Sequence, residues 1–121
     1  MYRAKYKNKK IRTPGHWFDS KLEQAVFELL KLREKAGEIK NLKHHGSRVF
    51  LSIAAIEMRP DFEWQEQNEA GAWIPAFGEA KGLETSDYRI KRKLWSVYGP
   101  GRLYVYKGNS RAVKLFEIVK P

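Results

Sequence analysis

The chain is predicted to fold as an α/β domain, a mixed central β-sheet flanked by helices in the order α-β-β-β-α-β-β. Three observations predict it. Two segments of helical periodicity, each opened by a capping signal, alternate with runs rich in β-branched and aromatic residues. A polar stretch, Glu66 to Gly71, ends in glycine between two such runs, as a hairpin turn would. The length of 121 residues, 42% hydrophobic and 31% charged, is enough for one core but not for two.

Taken in order, residues 1–16 form a basic N-terminal arm and residues 17–121 the single domain. In the arm Arg3, Lys5, Lys7 and Lys9 share parity and would face one way in extended chain, with Lys10 and Arg12 following and Tyr2 and Tyr6 able to stack on bases. A solvated tail has the same composition. A helix is expected from about Ser20 to Ala36. Ser20 and Glu23 fit a capping box, Leu22, Val26, Leu29, Leu30 and Leu32 recur at helical spacing, and Gly37 suits the stop. Ile39–His45 and Ser47–Ile56 read as strand, with Gly46 at a turn, the second run continuing through Pro60 to Trp64. Ala72–Ala80 is the next strand. Thr85 or Ser86 caps a second helix reaching Tyr98, where Gly99-Pro100-Gly101 ends it. Its expected inner stripe is Ile90, Leu94 and Trp95, leaving Arg89, Arg92 and Lys93 outward. Leu103–Lys107 and Val113–Val119 close the domain around the turn Gly108-Asn109-Ser110.

Charge is unevenly spread. The formal net charge is +10, yet residues 22–80 hold seven bases against ten acids. Residues 1–21 carry seven Lys/Arg against one acid, and residues 81–121 carry ten against three. An acidic middle between basic flanks suits a polyanionic partner. The absence of cysteine excludes disulfide frameworks and cysteine-held zinc. No apolar run approaches the ~20 residues of a membrane span, so a soluble, cytoplasmic protein without membrane contact is expected. Adjacent strand positions turn His44 and His45 to opposite faces, which makes them a poor metal pair. Trp17, Trp64, Trp73 and Trp95 read as core or interface aromatics. Gly78 to Gly82 lacks the Lys-Ser/Thr ending of a nucleotide-binding loop.

The chemistry concentrates in Pro60-Asp61-Phe62 and Gly78-Glu79-Ala80-Lys81-Gly82. On neighbouring strands these bring two carboxylates and an ammonium to one edge. Residues two apart share a strand face, so Glu79 and Lys81 project together while Ala80 turns away and offers its backbone carbonyl. Asp61, Glu79 and the Ala80 carbonyl are an oxygen set suited to Mg²⁺, with Mn²⁺ as a substitute. Lys81 would hold the attacking water. Gly78 and Gly82 would let a phosphate backbone approach closely. A salt-bridged pair on an exposed strand would share these letters, and a glutamate at position 23 is already explained by capping. Arg89, Arg92 and Lys93 are candidate phosphate contacts.

With these residues in view, the chain resembles the PD-(D/E)XK nuclease superfamily over roughly residues 17–98. Pro60-Asp61 and Glu79-Ala80-Lys81 match its signature and Glu23 its helix glutamate. The segments Phe18–Glu23, Ala36–Ile39 and Lys81–Trp95 look like a group of small phage-encoded members, with Holliday junction resolvases the best match in size and charge. The resemblance implies a restriction-endonuclease-like core, Mg²⁺-dependent cleavage of branched DNA such as four-way junctions, and a homodimer in the host cytoplasm. It also implies catalytic roles for Glu23, Asp61, Glu79 and Lys81. Ala80 departs from relatives that carry an acidic or β-branched residue there, a change that leaves the carbonyl ligand intact. A flap-type or non-specific nuclease and a non-catalytic DNA-binding protein are the alternative readings.

Overall fold

The computed structural model describes residues 11–13, 16–51 and 56–121. Its elements in chain order are β1 (Ile11–Thr13), β2 (His16–Phe18), α1 (Lys21–Lys35), β3 (Ile39–His44), β4 (Val49–Phe50), β5 (Glu57–Met58), β6 (Phe62–Gln67), β7 (Trp73–Ala80), α2 (Ser86–Tyr98), β8 (Arg102–Asn109) and β9 (Ala112–Val119). Strands β3-β6-β7-β8-β9 form a five-stranded sheet, antiparallel except for the parallel pair β7–β8. A parallel pair needs a crossover, and α2 supplies it. The result is the expected α/β architecture with a mixed central sheet and two helices.

Both helices begin where the capping signals lie. The Ser20 hydroxyl accepts a hydrogen bond from the Glu23 amide at 3.0 Å, and the Thr85 hydroxyl accepts from the Tyr88 amide at 3.1 Å. Helix α1 covers one sheet face with Leu22, Val26 and Leu30, which pack with Ile39, Phe62, Trp64, Ala76 and Tyr106. Helix α2 covers the other, where Tyr88 and Trp95 meet Phe77, Leu103, Val105 and Val119. Ile90 is exposed, against expectation. Tyr88 and Trp95, seven apart, bury far more apolar area than Ile90 does, and they set the rotation of the helix. Trp64 and Trp95 are core residues, whereas Trp17 and Trp73 are exposed.

Three further departures shape the site. The expected run from Ser47 to Trp64 divides: among the described residues β4 and β5 pair only with each other, and β6 starts after Pro60, which has no N–H to give a ladder. The turn between β6 and β7 is shorter than expected, Asn68 closing it with hydrogen bonds from the amides of Ala70 and Ala72. The hairpin β1–β2 pairs Arg12 with Trp17, across the boundary expected between arm and domain. Both outer strands of the sheet carry a register break. One lies between Lys40 and Lys43 in β3; the other leaves Phe116 of β9 unpaired opposite Val105 and Tyr106. No helix of the described residues is long and apolar enough to cross a membrane.

Candidate active site

Strands β7 and β8 run parallel, so their carboxyl ends reach the same sheet edge, the usual place for a ligand in an open α/β sheet. There the antiparallel register of β6 on β7 sets Phe62 opposite Gly78, which brings Asp61 alongside Glu79. Each carboxylate accepts a hydrogen bond from the backbone of the opposite segment. The Asp61 amide donates to Glu79 Oε1 at 3.0 Å, and the Ala80 amide donates to Asp61 Oδ2 at 2.9 Å. One oxygen of each carboxylate is thereby fixed. The Lys81 ammonium lies 3.7 Å from Glu79 Oε2 and 4.4 Å from the centre of the Tyr88 ring, a cation–π arrangement that holds it over the edge. The Lys81 amide donates to the Tyr106 carbonyl, tying the end of β7 to β8.

Glu23 arrives from the opposite side. Its place in the first turn of α1 lets the Ser20 cap hold its amide while its side chain points inward, nearly buried. Glu23, Asp61, Glu79 and Lys81 all line one cavity of about 490 Å³, with Asp19 and Leu83 at its margin. All four expected catalytic residues are therefore in one place. Among the described residues, though, the trio of His, Asp and Glu side chains whose ligand atoms lie closest is Glu23, His44 and His45, all within 4.8 Å of one another.

Electrostatics follow from burial. The Glu23 carboxyl is pushed up to about 7, chiefly by desolvation and then by the negative charges of Asp19 and Glu79. Asp61 and Glu79 are driven well above the ordinary carboxylate range, first by burial and next by their acidic neighbours, Glu23 for Asp61 and Asp61 for Glu79. Lys81 and the donating amides oppose these shifts only in part. Carboxyls so crowded are relieved by a cation.

The sequence reading misplaces several neighbours. His44 and His45 do not diverge: their rings stack with centroids 3.7 Å apart, because His45 leaves the strand with φ +61°. His44 Nε2 meets Glu23 Oε2 at 2.6 Å in a nearly enclosed contact. Gly78 serves packing rather than phosphate approach, since a Cβ there would lie 2.8 Å from the Trp64 ring. Gly82 has open space around it. Of the expected phosphate contacts, Arg89 and Lys93 are exposed, but Arg92 is half-buried between Glu84 at 3.7 Å and Glu117 at 2.7 Å. Arg3, Lys5, Lys7, Lys9 and Lys10 lie outside the described residues; Arg12 lies in β1.

Neither the curated proteins nor the solved structures contain a match to this chain. The sequence pattern of the family described as "Protein of unknown function (DUF1064)" matches residues 3–115, nearly the whole chain, and the protein belongs to that family.

Proposed function

We propose that the protein is a Mg²⁺-dependent DNA endonuclease with a restriction-endonuclease-like core of the PD-(D/E)XK type, acting as a homodimer on branched DNA such as four-way junctions. One observation carries the reading. Glu23, Asp61 and the pair Glu79 and Lys81 come from three separate segments of the chain and converge on a single cavity at the end of a parallel strand pair. The hydrogen bonds from the Asp61 amide to Glu79 and from the Ala80 amide to Asp61 each occupy one carboxylate oxygen, and the second oxygen of each, with the Ala80 carbonyl, makes a hard donor set suited to Mg²⁺. Their raised proton affinity supports the same fit, because a bound cation offsets the crowding that causes it.

When bound, Mg²⁺ would polarise the scissile phosphate and stabilise charge on the leaving oxygen. Lys81 orients the attacking water with its ammonium, itself fixed between Glu79 and the Tyr88 ring. Water adds to phosphorus, the P–O bond to the leaving oxygen breaks, and that oxygen takes a proton from solvent. Glu23, which exchanges its proton near neutrality, takes up the proton the water gives away. Exposed Arg89 and Lys93 follow the site on α2 and meet the flanking phosphates.

The test incubates purified protein and Mg²⁺ with labelled four-way junction, flap, linear duplex and single strand, alongside Lys81→Ala and Asp61→Asn. Paired symmetric nicks in the junction are expected, falling by about a hundredfold or more in both variants. Cutting of every substrate would replace the junction with a non-specific nuclease. Binding without cleavage in Mg²⁺ or Mn²⁺ would leave a DNA-binding protein on this fold and overturn the enzymatic reading.

A further inference from the structure

The contact between β3 and the start of α1 sets two imidazoles, which phosphodiester chemistry does not require, beside Glu23. Position 45 is where it is made. A regular strand would send His45 to the face opposite His44. Instead His45 adopts φ +61°, a left-handed conformation that is unfavourable for most non-glycine residues. Its amide donates to the Asp61 carbonyl at 2.7 Å, and the Gly46 amide donates to the Pro60 carbonyl at 3.1 Å, so the bend is pinned to the segment bearing Asp61. The outcome is that two imidazoles stack on one side of the sheet beside a buried carboxylate.

His44 is itself held in place. Its ring stacks on Phe18 at 4.6 Å and on Phe62 at 5.3 Å, and its Nε2 faces Glu23 Oε2. His45 is exposed and opens the cluster to solvent, while the facing atoms of Glu23 and His44 are nearly enclosed. Two imidazoles and one carboxylate are a borderline donor set, favoured by zinc, cobalt and nickel and unlike the all-oxygen set that Mg²⁺ prefers.

We propose that Glu23, His44 and His45 bind a divalent transition-metal ion of the zinc class, at a centre distinct from the oxygen donors Asp61 and Glu79. Binding requires the His45 ring to turn out of its stack on His44 so that both nitrogens face one point. Two ligands of a tetrahedral zinc stand roughly 3.4 Å apart. The ligand atoms here lie within 4.8 Å of one another, and the shortest separation is 2.6 Å. Rotation of the exposed His45 side chain closes the longer gap, and Glu23 and His44 part by less than about 1 Å to admit the ion. Three protein ligands leave the fourth position to water. Since Glu23 also lines the acidic cavity, an ion held here fixes one wall of it.

The site stands whether or not the protein cuts DNA, and the test keeps the two apart. Untagged full-length protein in excess Mg²⁺ is titrated with Zn²⁺ by calorimetry and with Co²⁺ by visible absorption. One ion per chain is expected, with a tetrahedral Co²⁺ spectrum. His45→Asn removes the imidazole while keeping a residue that tolerates the left-handed bend, and circular dichroism verifies its fold. That variant should bind about tenfold more weakly or worse, and Asp61→Asn should bind within about twofold of the parent protein. No uptake in excess Mg²⁺, or affinity unchanged in His45→Asn, would overturn the proposal. So would binding lost in Asp61→Asn but kept in His45→Asn, which assigns the ion to the carboxylate centre. Absent cleavage with Zn²⁺ binding intact would sink the nuclease reading alone.

Discussion

Glu23 illustrates how one residue answers to two environments. Its amide belongs to a helix cap and its carboxylate to a buried acidic cluster, where burial and the charges of Asp19 and Glu79 hold its proton to about pH 7. The consequence for stability has a definite sign. In the unfolded chain the Glu23 carboxyl releases its proton near the ordinary value of 4.5, whereas the folded protein keeps it to higher pH. Between 4.5 and about 7 the folded form therefore binds more protons, and this contribution to stability is lost as pH rises through the folded value. Thermal melts in chelator across that window should show the melting temperature falling, with a flatter profile in Glu23→Gln and recovery at the upper end on adding a divalent ion. A rising profile in chelator would contradict it. Asp61, Glu79 and Lys81 were legible in the sequence because their relation depends on period-two alternation and one hairpin, both short-range. The His44–His45 stack was not. It follows from a single left-handed residue fixed by the Asp61 carbonyl, a long-range contact that strand periodicity hides.

Elements were read best where their signals are local. Both helix starts follow from a hydroxyl three residues before the amide it accepts from, and the prediction attached to them is direct. Ser20→Ala should destabilise the protein by about 1 kcal/mol in urea denaturation, and Ser20→Thr should recover most of it. An unchanged midpoint would mean that packing alone fixes the start of α1. The side of α2 that faces the core was harder to read. Apolar residues at 88, 90, 94 and 95 permit two rotations, and the choice falls to Trp95, whose indole N–H donates to the Gly101 carbonyl at 2.7 Å beyond the helix end. The separate β4–β5 hairpin was likewise hidden, since its residues have strand composition and only Pro60 marks where pairing changes partner.

At the scale of the whole molecule, the net charge of +10 is concentrated on either side of the acidic centre. Deleting residues 1–10, which spares β1, removes five Lys/Arg. If these engage DNA, the slope of log affinity against log salt should fall by about 0.9 for each arm charge that meets a phosphate. An unchanged slope, measured by fluorescence anisotropy on a four-way junction, would assign DNA attraction to the folded domain instead. The register breaks in β3 and β9 bear on a different question, that of self-assembly. A strand can extend a neighbour's sheet only along an even row of free amides and carbonyls, and both outer strands of this sheet interrupt that row, at Lys40–Lys43 and at Phe116. The sheet thus ends itself at either side. Growth of one continuous sheet across these two edges is therefore disfavoured, in solution as in aggregates.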